Sequence, residues 1–310
     1  MAGEMNLRDP WLVAVWPGMG HVAVSAGYYL MAKLGMHHQA EFSAPDLFDV
    51  EHVEVRSGII CAANLPRNRF FVWQDPQQRH DILLFIGEAQ PATGKYLFCQ
   101  KLIEYAQTLG VQRVFTFAAM ATQMHPGRPS RVFGAATDLQ YLQELRQRDL
   151  TVLEEGNIGG LNGVLLGVAA EKQLPGICLL GEMPSIIAQL PYPKASLAVL
   201  KMFASISGIS LNYEELEAQA VMMDQKLAEI LAKMEGAFEA SESSDEELYG
   251  VPAAADDRLS AEDEQHIDDL FEQAEVDRSK AYELKRELDR LEVFDRYEDR
   301  FLDLFKKKPE

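Results

Sequence analysis

Residues 156–169, GNIGGLNGVLLGVA, crowd Gly156, Gly159, Gly160, Gly163 and Gly167 around the start of a helix that follows a strand-like run. Such an entry can aim backbone N–H groups at a phosphate. It can equally let two backbones approach closely. The spacing is neither GxGxxG nor a P-loop, so no complete phosphate motif is present. Asn157 and Asn162 can hydrogen-bond a ligand or cap a turn. Gly163 and Gly167, one helical turn apart, suit close contact between helix and sheet.

A second group of candidates sits at other strand ends. The turn 16-WPGMGH-21 places Gly18, Gly20 and His21 after the first apolar run. Ligands of open α/β sheets bind at the C-terminal ends of strands. Glu88 in 87-GEAQP-91 and Glu182 in 181-GEMP-184 end two further runs, and Glu154 and Glu155 precede the glycine-rich turn. Paired carboxylates there can do acid–base work or hold a cation; alone they cap helices or face solvent. Arg128, in the rigid loop 125-HPGRP-129, offers a clamp for a carboxylate or phosphate, or ties the loop to a carbonyl. No GxSxG occurs, so a hydrolase of that type has no local support. The candidate ligand pocket is therefore Gly18, Gly20, Glu88, Arg128, Asn157, Gly159, Gly160 and Glu182, with no metal and no cofactor expected.

These residues need a scaffold. WLVAV at 11–15 is a short apolar run before Pro-Gly, the mark of a buried strand. Further strands are expected at 54–61, 69–75, 81–87, 112–120, 150–156 and 176–184, with 69–75 and 81–87 forming a hairpin. Helices are expected at 20–35, 94–110, around 138–147, after the glycine-rich turn, at 194–208 and at 212–236, the last with a capping box from Asn212 to Glu215. Residues 124–132 read as loop. Strands alternating with helices predict an α/β sheet covered on both faces.

Beyond this domain, 1–236, the composition changes. From Glu239 to Asp269 there are twelve acidic residues and one basic residue, Arg258, so this piece carries over half of the net charge of −19. Residues 237–259 are expected to be a flexible acidic linker. One long amphipathic helix is expected over 260–307, capped by Ser260 and Asp263. Ile267, Leu270, Ala274, Ala281, Leu284, Leu288 and Leu291 keep coiled-coil spacing. Asp277 interrupts the stripe, which then slips to Phe294, Tyr297, Phe301, Leu304 and Phe305. It must pack on the main domain, a copy of itself or a partner. Leu284, Leu288, Leu291, Phe294 and Phe301 are the candidate partner-binding residues.

A balance of 29 Lys+Arg against 48 Asp+Glu argues against nucleic acid as partner. Cys61, Cys99 and Cys178 lack ligand spacing and are expected to be reduced core residues. MAGEMNLRDP has no apolar signal region, and no apolar run spans a membrane, so a cytoplasmic location is expected.

The order of these pieces resembles the proteasome assembly chaperone 2-like (PAC2) family, in its bacterial branch. The resemblance runs over roughly residues 10–236, through WPGMG at 16–20, GEAQP at 87–91 with Tyr96 following, GVQRVFTFAAM at 110–120, HPGRP at 125–129, the glycine-rich turn, GEMP at 181–184, and 191–220. It implies a three-layer αβα sandwich like that of phosphorylase/hydrolase-type enzymes. It also implies a non-catalytic, homo-oligomeric assembly or interaction protein, with a trimer as the expected state. The fold leaves a phosphorylase- or hydrolase-type enzyme acting on a nucleoside- or phosphate-containing ligand as the alternative. Several relatives dock on proteasome rings through a C-terminal hydrophobic–Tyr–any tripeptide; this chain ends FKKKPE, which implies that this docking device is missing.

Overall fold

The computed structural model describes residues 7–50, 53, 55–56, 58–62, 65–241, 259–291 and 293–306. Strands β1 (Trp11–Val15), β6 (Ile82–Gly87), β7 (Arg113–Thr122) and β10 (Gly176–Pro184) form the parallel centre of an eight-stranded sheet. On one side, β5 (Asn68–Trp73) runs antiparallel to β6 and β2 (His37–Glu41) antiparallel to β5, which makes 69–75 and 81–87 the expected hairpin. On the other, β8 (Val132–Ala136) is antiparallel to β10, and β9 (Thr151–Val152) closes the edge. The order is β2-β5-β6-β1-β7-β10-β8-β9.

The period of two along each strand sends alternate side chains to two cores. Trp11, Val13 and Val15 enter the core beneath α1 (Val22–Leu34), α3 (Leu139–Arg146), α5 (Pro193–Ser207) and α6 (Glu214–Ser241). Leu12, Ala14 and Trp16 enter the core beneath α2 (Lys95–Thr108) and α4 (Gly160–Glu171). That is the expected three-layer αβα architecture. Asp138 caps α3 by accepting the N–H of Tyr141 at 3.0 Å. Asp138→Ala should therefore cost about 1 kcal/mol in urea unfolding.

Several expectations need correcting. The described residues of the expected strand at 54–61 do not join the main sheet. They give a separate two-stranded hairpin, β3 (Val55–Arg56) and β4 (Ile59–Ile60). Cys61 is consequently half-buried beside that hairpin, whereas Cys99 and Cys178 are core residues whose thiols burial pushes up to about 12. β8 occupies sequence read as the end of a loop and its sequel. The expected strand at 150–156 shortens to two residues. α6 runs to Ser241, past the expected boundary at 237, and the rest of the acidic linker, 242–258, lies outside the described residues. Asn212 accepts the N–H of Glu214 rather than building a box with Glu215, which pairs with Lys33.

The single long helix expected over 260–307 is three: α7 (Ala261–Val276), α8 (Ala281–Arg290) and α9 (Phe294–Asp303). Ser260 caps α7 as expected. Asp277 has extended backbone and caps the next turn through Ser279 N–H, so the interruption in the stripe is a chain break. Val293 makes the second break, where the stripe slips. Folding back in this way lets the stripe cover the chain's own domain. Tyr28 of α1 meets Phe294 and Phe301 edge-on, Tyr29 meets Tyr282, and Phe71 of β5 meets Phe305. Leu284, Leu288 and Phe301 are fully buried there, and Leu291 and Phe294 pack at the margin. All five candidate partner-binding residues are thus engaged within one chain.

Candidate functional site

The C-terminal ends of β1, β6, β7 and β10 lie at one end of the sheet, and so do the end of β2 and the start of β5. A cavity of about 390 Å³ opens there between the loop after β1 and the N-terminus of α4. Gly18, Asn157, Gly159 and Gly160 line it, as expected from sequence, together with Met19, Met120 and Gln90. None of its lining residues is ionisable.

Gly160 sits at φ +67°, and a Cβ there would lie 2.8 Å from Gln90 Oε1. That carboxamide accepts the Leu161 N–H at 3.0 Å and donates to Pro17 O at 3.1 Å, so a neutral amide occupies the helix entry that a phosphate would use. A Cβ on Gly163 would lie 1.9 Å from the Ile158 carbonyl oxygen, so this glycine serves a tight turn within its own segment. Gly167 is exposed with open space around it, which removes the expected close contact with the sheet.

The charged candidates are elsewhere. Gly20 is buried behind Met183. Glu182 is 2 % exposed and takes a bidentate pair from Arg131, both bonds 2.7 Å, plus the Thr122 hydroxyl at 2.8 Å. Those Arg131 bonds hold its carboxyl below the usual range, which leaves no acid for proton transfer. Arg128 is exposed, and its carbonyl accepts from Lys194 at 3.3 Å. Glu154 pairs with Arg146. Arg128, Glu88 and Glu182 therefore do not converge, and the enzyme constellation expected from sequence is not assembled. Among the described residues, no cluster of His, Cys, Asp or Glu could hold a metal ion, and no helix is long and apolar enough to cross a membrane.

Glu88 belongs to a charged cluster under α9. Arg69, 1 % exposed, donates to Glu88 at 2.6 Å and also pairs with Asp299. Arg67 donates to Asp299 at 2.6 Å through its side chain and to Glu88 at 2.7 Å through its backbone N–H. The Tyr28 hydroxyl donates to Glu298, whose carboxyl burial pushes up to about 7. Burial likewise raises Glu88.

Of the exposed large hydrophobic side chains among the described residues, Met19 lines the cavity. Among the described residues, fifteen large hydrophobic side chains are exposed. Leu139, Val221, Met222 and Val276 lie elsewhere; the other eleven belong to segments that leave or enter the sheet at the cavity end. They include Met19, Tyr96, Leu97, Ile186 (68 % exposed), and Ile59 and Ile60 of the hairpin (each 71 %). Sequence reasoning named Tyr96 only within the family resemblance and placed Val55, Ile59 and Ile60 in a strand, and it expected none of these as an exposed surface. The available signal was that Val55, Ile59 and Ile60 sit in a run too short and too interrupted to reach the core. A larger groove of about 910 Å³ runs between α5, α6 and the β8–β9 edge, but its lysines are already paired, Lys194 with Asp224 (2.6 Å) and Lys201 with Glu217 (2.7 Å).

The family model described as the PAC2 family matches residues 12–231, from β1 into α6. The chain belongs to the PAC2 family. An uncharacterized protein of Methanocaldococcus jannaschii is 27% identical over 254 residues, 78% of this chain and 92% of that one. The crystal structure of Pyrococcus furiosus PbaB, an archaeal proteasome activator, is 25% identical with a TM-score of 0.63 and covers 74% of this chain and 95% of its own. A proteasome-assembly chaperone homologue of Mycobacterium tuberculosis is 22% identical with a TM-score of 0.62, covering 71% and 94%. The PAC2 match ends within α6, so α7–α9 lie beyond the matched residues.

Proposed function

We propose that this PAC2 protein is a non-catalytic assembly or interaction protein that works in the cytoplasm as a homo-oligomer with protein partners. The observation that carries this reading is that eleven exposed apolar side chains belong to segments that leave or enter the sheet at the end holding an uncharged cavity. Large exposed apolar patches mark interaction sites. Exposed Met, Tyr and branched aliphatic side chains are protein-binding chemistry. The names of the Pyrococcus and Mycobacterium proteins support the same reading, and the second supports placing this chain in the bacterial branch.

Affinity capture from the source cells tests it. Wild-type protein should return a defined set of proteins, and Met19→Asp/Ile186→Asp should lose most of that set while keeping its folded circular dichroism. Equal recovery with both baits would move the binding surface elsewhere, and an empty wild-type eluate would end the reading.

A further inference from the structure

We infer that the α7–α9 extension regulates the strand-end surface, because α9 grips the turn whose Gln90 braces the cavity. The inference rests on reading that end of the sheet as a protein-binding surface, and it adds how that surface is controlled.

The route is an unbroken run of bonds from the extension to the cavity. Asp299 of α9 accepts from Arg67 at 2.6 Å and also pairs with Arg69. Both arginines hold Glu88 as well. Arg69 donates to Glu88 Oε1 at 2.6 Å, and the Arg67 N–H donates to Oε2 at 2.7 Å. The Glu88 N–H donates in return to the Arg67 carbonyl at 3.1 Å, so its backbone and its side chain are both fixed. Gln90 follows two residues later in the same turn, before the buried Pro91. Its carboxamide donates to Pro17 O at 3.1 Å and accepts the Leu161 N–H at 3.0 Å. Contiguous networks of this kind carry coupling between separated sites.

Gln90 thereby ties together two walls of the cavity. Gly18 and Met19 of the loop after β1 stand on one side, and Gly159 and Gly160 at the entry of α4 on the other. Leu161 is the second residue of α4, where a backbone N–H has no partner within its own helix. Gln90 supplies that partner. A displacement of the turn by about 1 Å would take either of its bonds out of range. The β1 loop also donates from the Gly20 N–H to Ala188 O at 2.9 Å, beside Ile186. The brace therefore bears on both exposed side chains, Met19 and Ile186, assigned to partner binding.

The control comes from outside the matched PAC2 residues, since Asp299 belongs to the extension. Asp299 is largely exposed, so its grip opens without unpacking either core.

The test follows hydrogen exchange at the Leu161 amide in purified full-length protein. Asp299→Lys sets a cation against both arginines and should speed that exchange about 5-fold, the effect of losing one hydrogen bond. Asp299→Asn, which keeps the shape, should act in the same direction at smaller size. Arg300→Ala removes the pair between α9 and Asp268 of α7 and should leave Leu161 unchanged. Gln90→Ala should speed the same amide, and adding Asp299→Lys to it should speed it no further. A general loosening of the protein would add in full, so the missing increment identifies the route. Wild-type exchange at Leu161 in both Asp299 variants, or a full increment on top of Gln90→Ala, overturns the inference. In capture from the source cells, Asp299→Lys should recover at least ~3-fold less protein than Arg300→Ala, and equal recovery overturns the regulation. The exchange measurement needs no partner. Its failure sinks the coupling with the proposed function intact, whereas an empty wild-type eluate ends the proposed function with the coupling intact.

Discussion

Arg69→Ala should lower the unfolding free energy by about 3 kcal/mol, read as a fall in the urea midpoint. Arg69 is buried at the start of β5, and its guanidinium joins three separately encoded pieces: β5 itself, the loop after β6 through Glu88, and α9 through Asp299. Removing it leaves the Glu88 carboxylate, whose side chain is 18 % exposed, without its 2.6 Å partner in a place where burial already disfavours charge. Asp299 is 66 % exposed and keeps Arg67 at 2.6 Å, so its share of the loss is small. Most of the cost is therefore Glu88's, and Arg69→Ala/Glu88→Gln should recover about 1 kcal/mol of it by removing the stranded charge. Arg69→Lys should recover little, because an ammonium cannot serve two carboxylates with the planar fork that Arg provides. A loss below about 1 kcal/mol for Arg69→Ala would mean that the cluster is hydrated like a surface pair and contributes little to holding α9.

The same cluster shows where sequence reading stops. β1 was legible because WLVAV is apolar on both faces and ends at Pro17-Gly18. β2 was not, because His37, His38 and Gln39 form an edge strand that carries no apolar run. β8, VFGAA, follows a proline- and glycine-bearing loop and becomes a strand through its antiparallel pairing with β10, a tertiary cause. In the tail, both breaks were written in the sequence as the Asp277 interruption and the slip at Phe294. The heptad spacing around them still favoured a continuous helix. The small residues of the cavity were legible because glycines at strand ends follow a local rule. The fate of Glu88 and Glu182 was not, since each is claimed by an arginine from another segment, Arg69 and Arg131, and no spacing rule connects them.

Between pH 5 and pH 8, the stability of wild type should fall relative to Glu298→Gln by about 2 kcal/mol. Burial against α1 pushes the Glu298 carboxyl up to about 7, well above an ordinary glutamate. The folded protein therefore holds this proton more tightly than the unfolded chain does. Near the ordinary glutamate pKa and below, both states are protonated and the group costs nothing. As pH rises toward 7 the unfolded chain gains by ionising first. Above 7 both states are charged and the penalty levels off. A full shift would be worth more than 2 kcal/mol, and the partial exposure of Glu298 reduces it. The groups around it include the Tyr28 hydroxyl of α1, Arg69 of β5, Glu88 after β6, Asp295 and Asp299 of α9, and Lys285 of α8, which lies over the Tyr28 and Phe294 rings. Burial would raise Asp299, but Arg69 and Arg67 outweigh it and hold the carboxyl low, so it titrates below this window. His38, where β2 meets Phe305, is depressed by burial and acts with the opposite sign: its contribution is present above the ordinary imidazole pKa and lost as pH falls. Wild type and Glu298→Gln share His38 and Asp299, so those titrations cancel in the difference between their urea midpoints, which reads Glu298 together with its coupling to Glu88. The two proteins should be nearly equal at pH 5, with Glu298→Gln the more stable at pH 8. Midpoints that run parallel across the range would place the Glu298 carboxyl in water rather than against Tyr28. They would also remove the proton from any account of how α9 is held to the PAC2 domain.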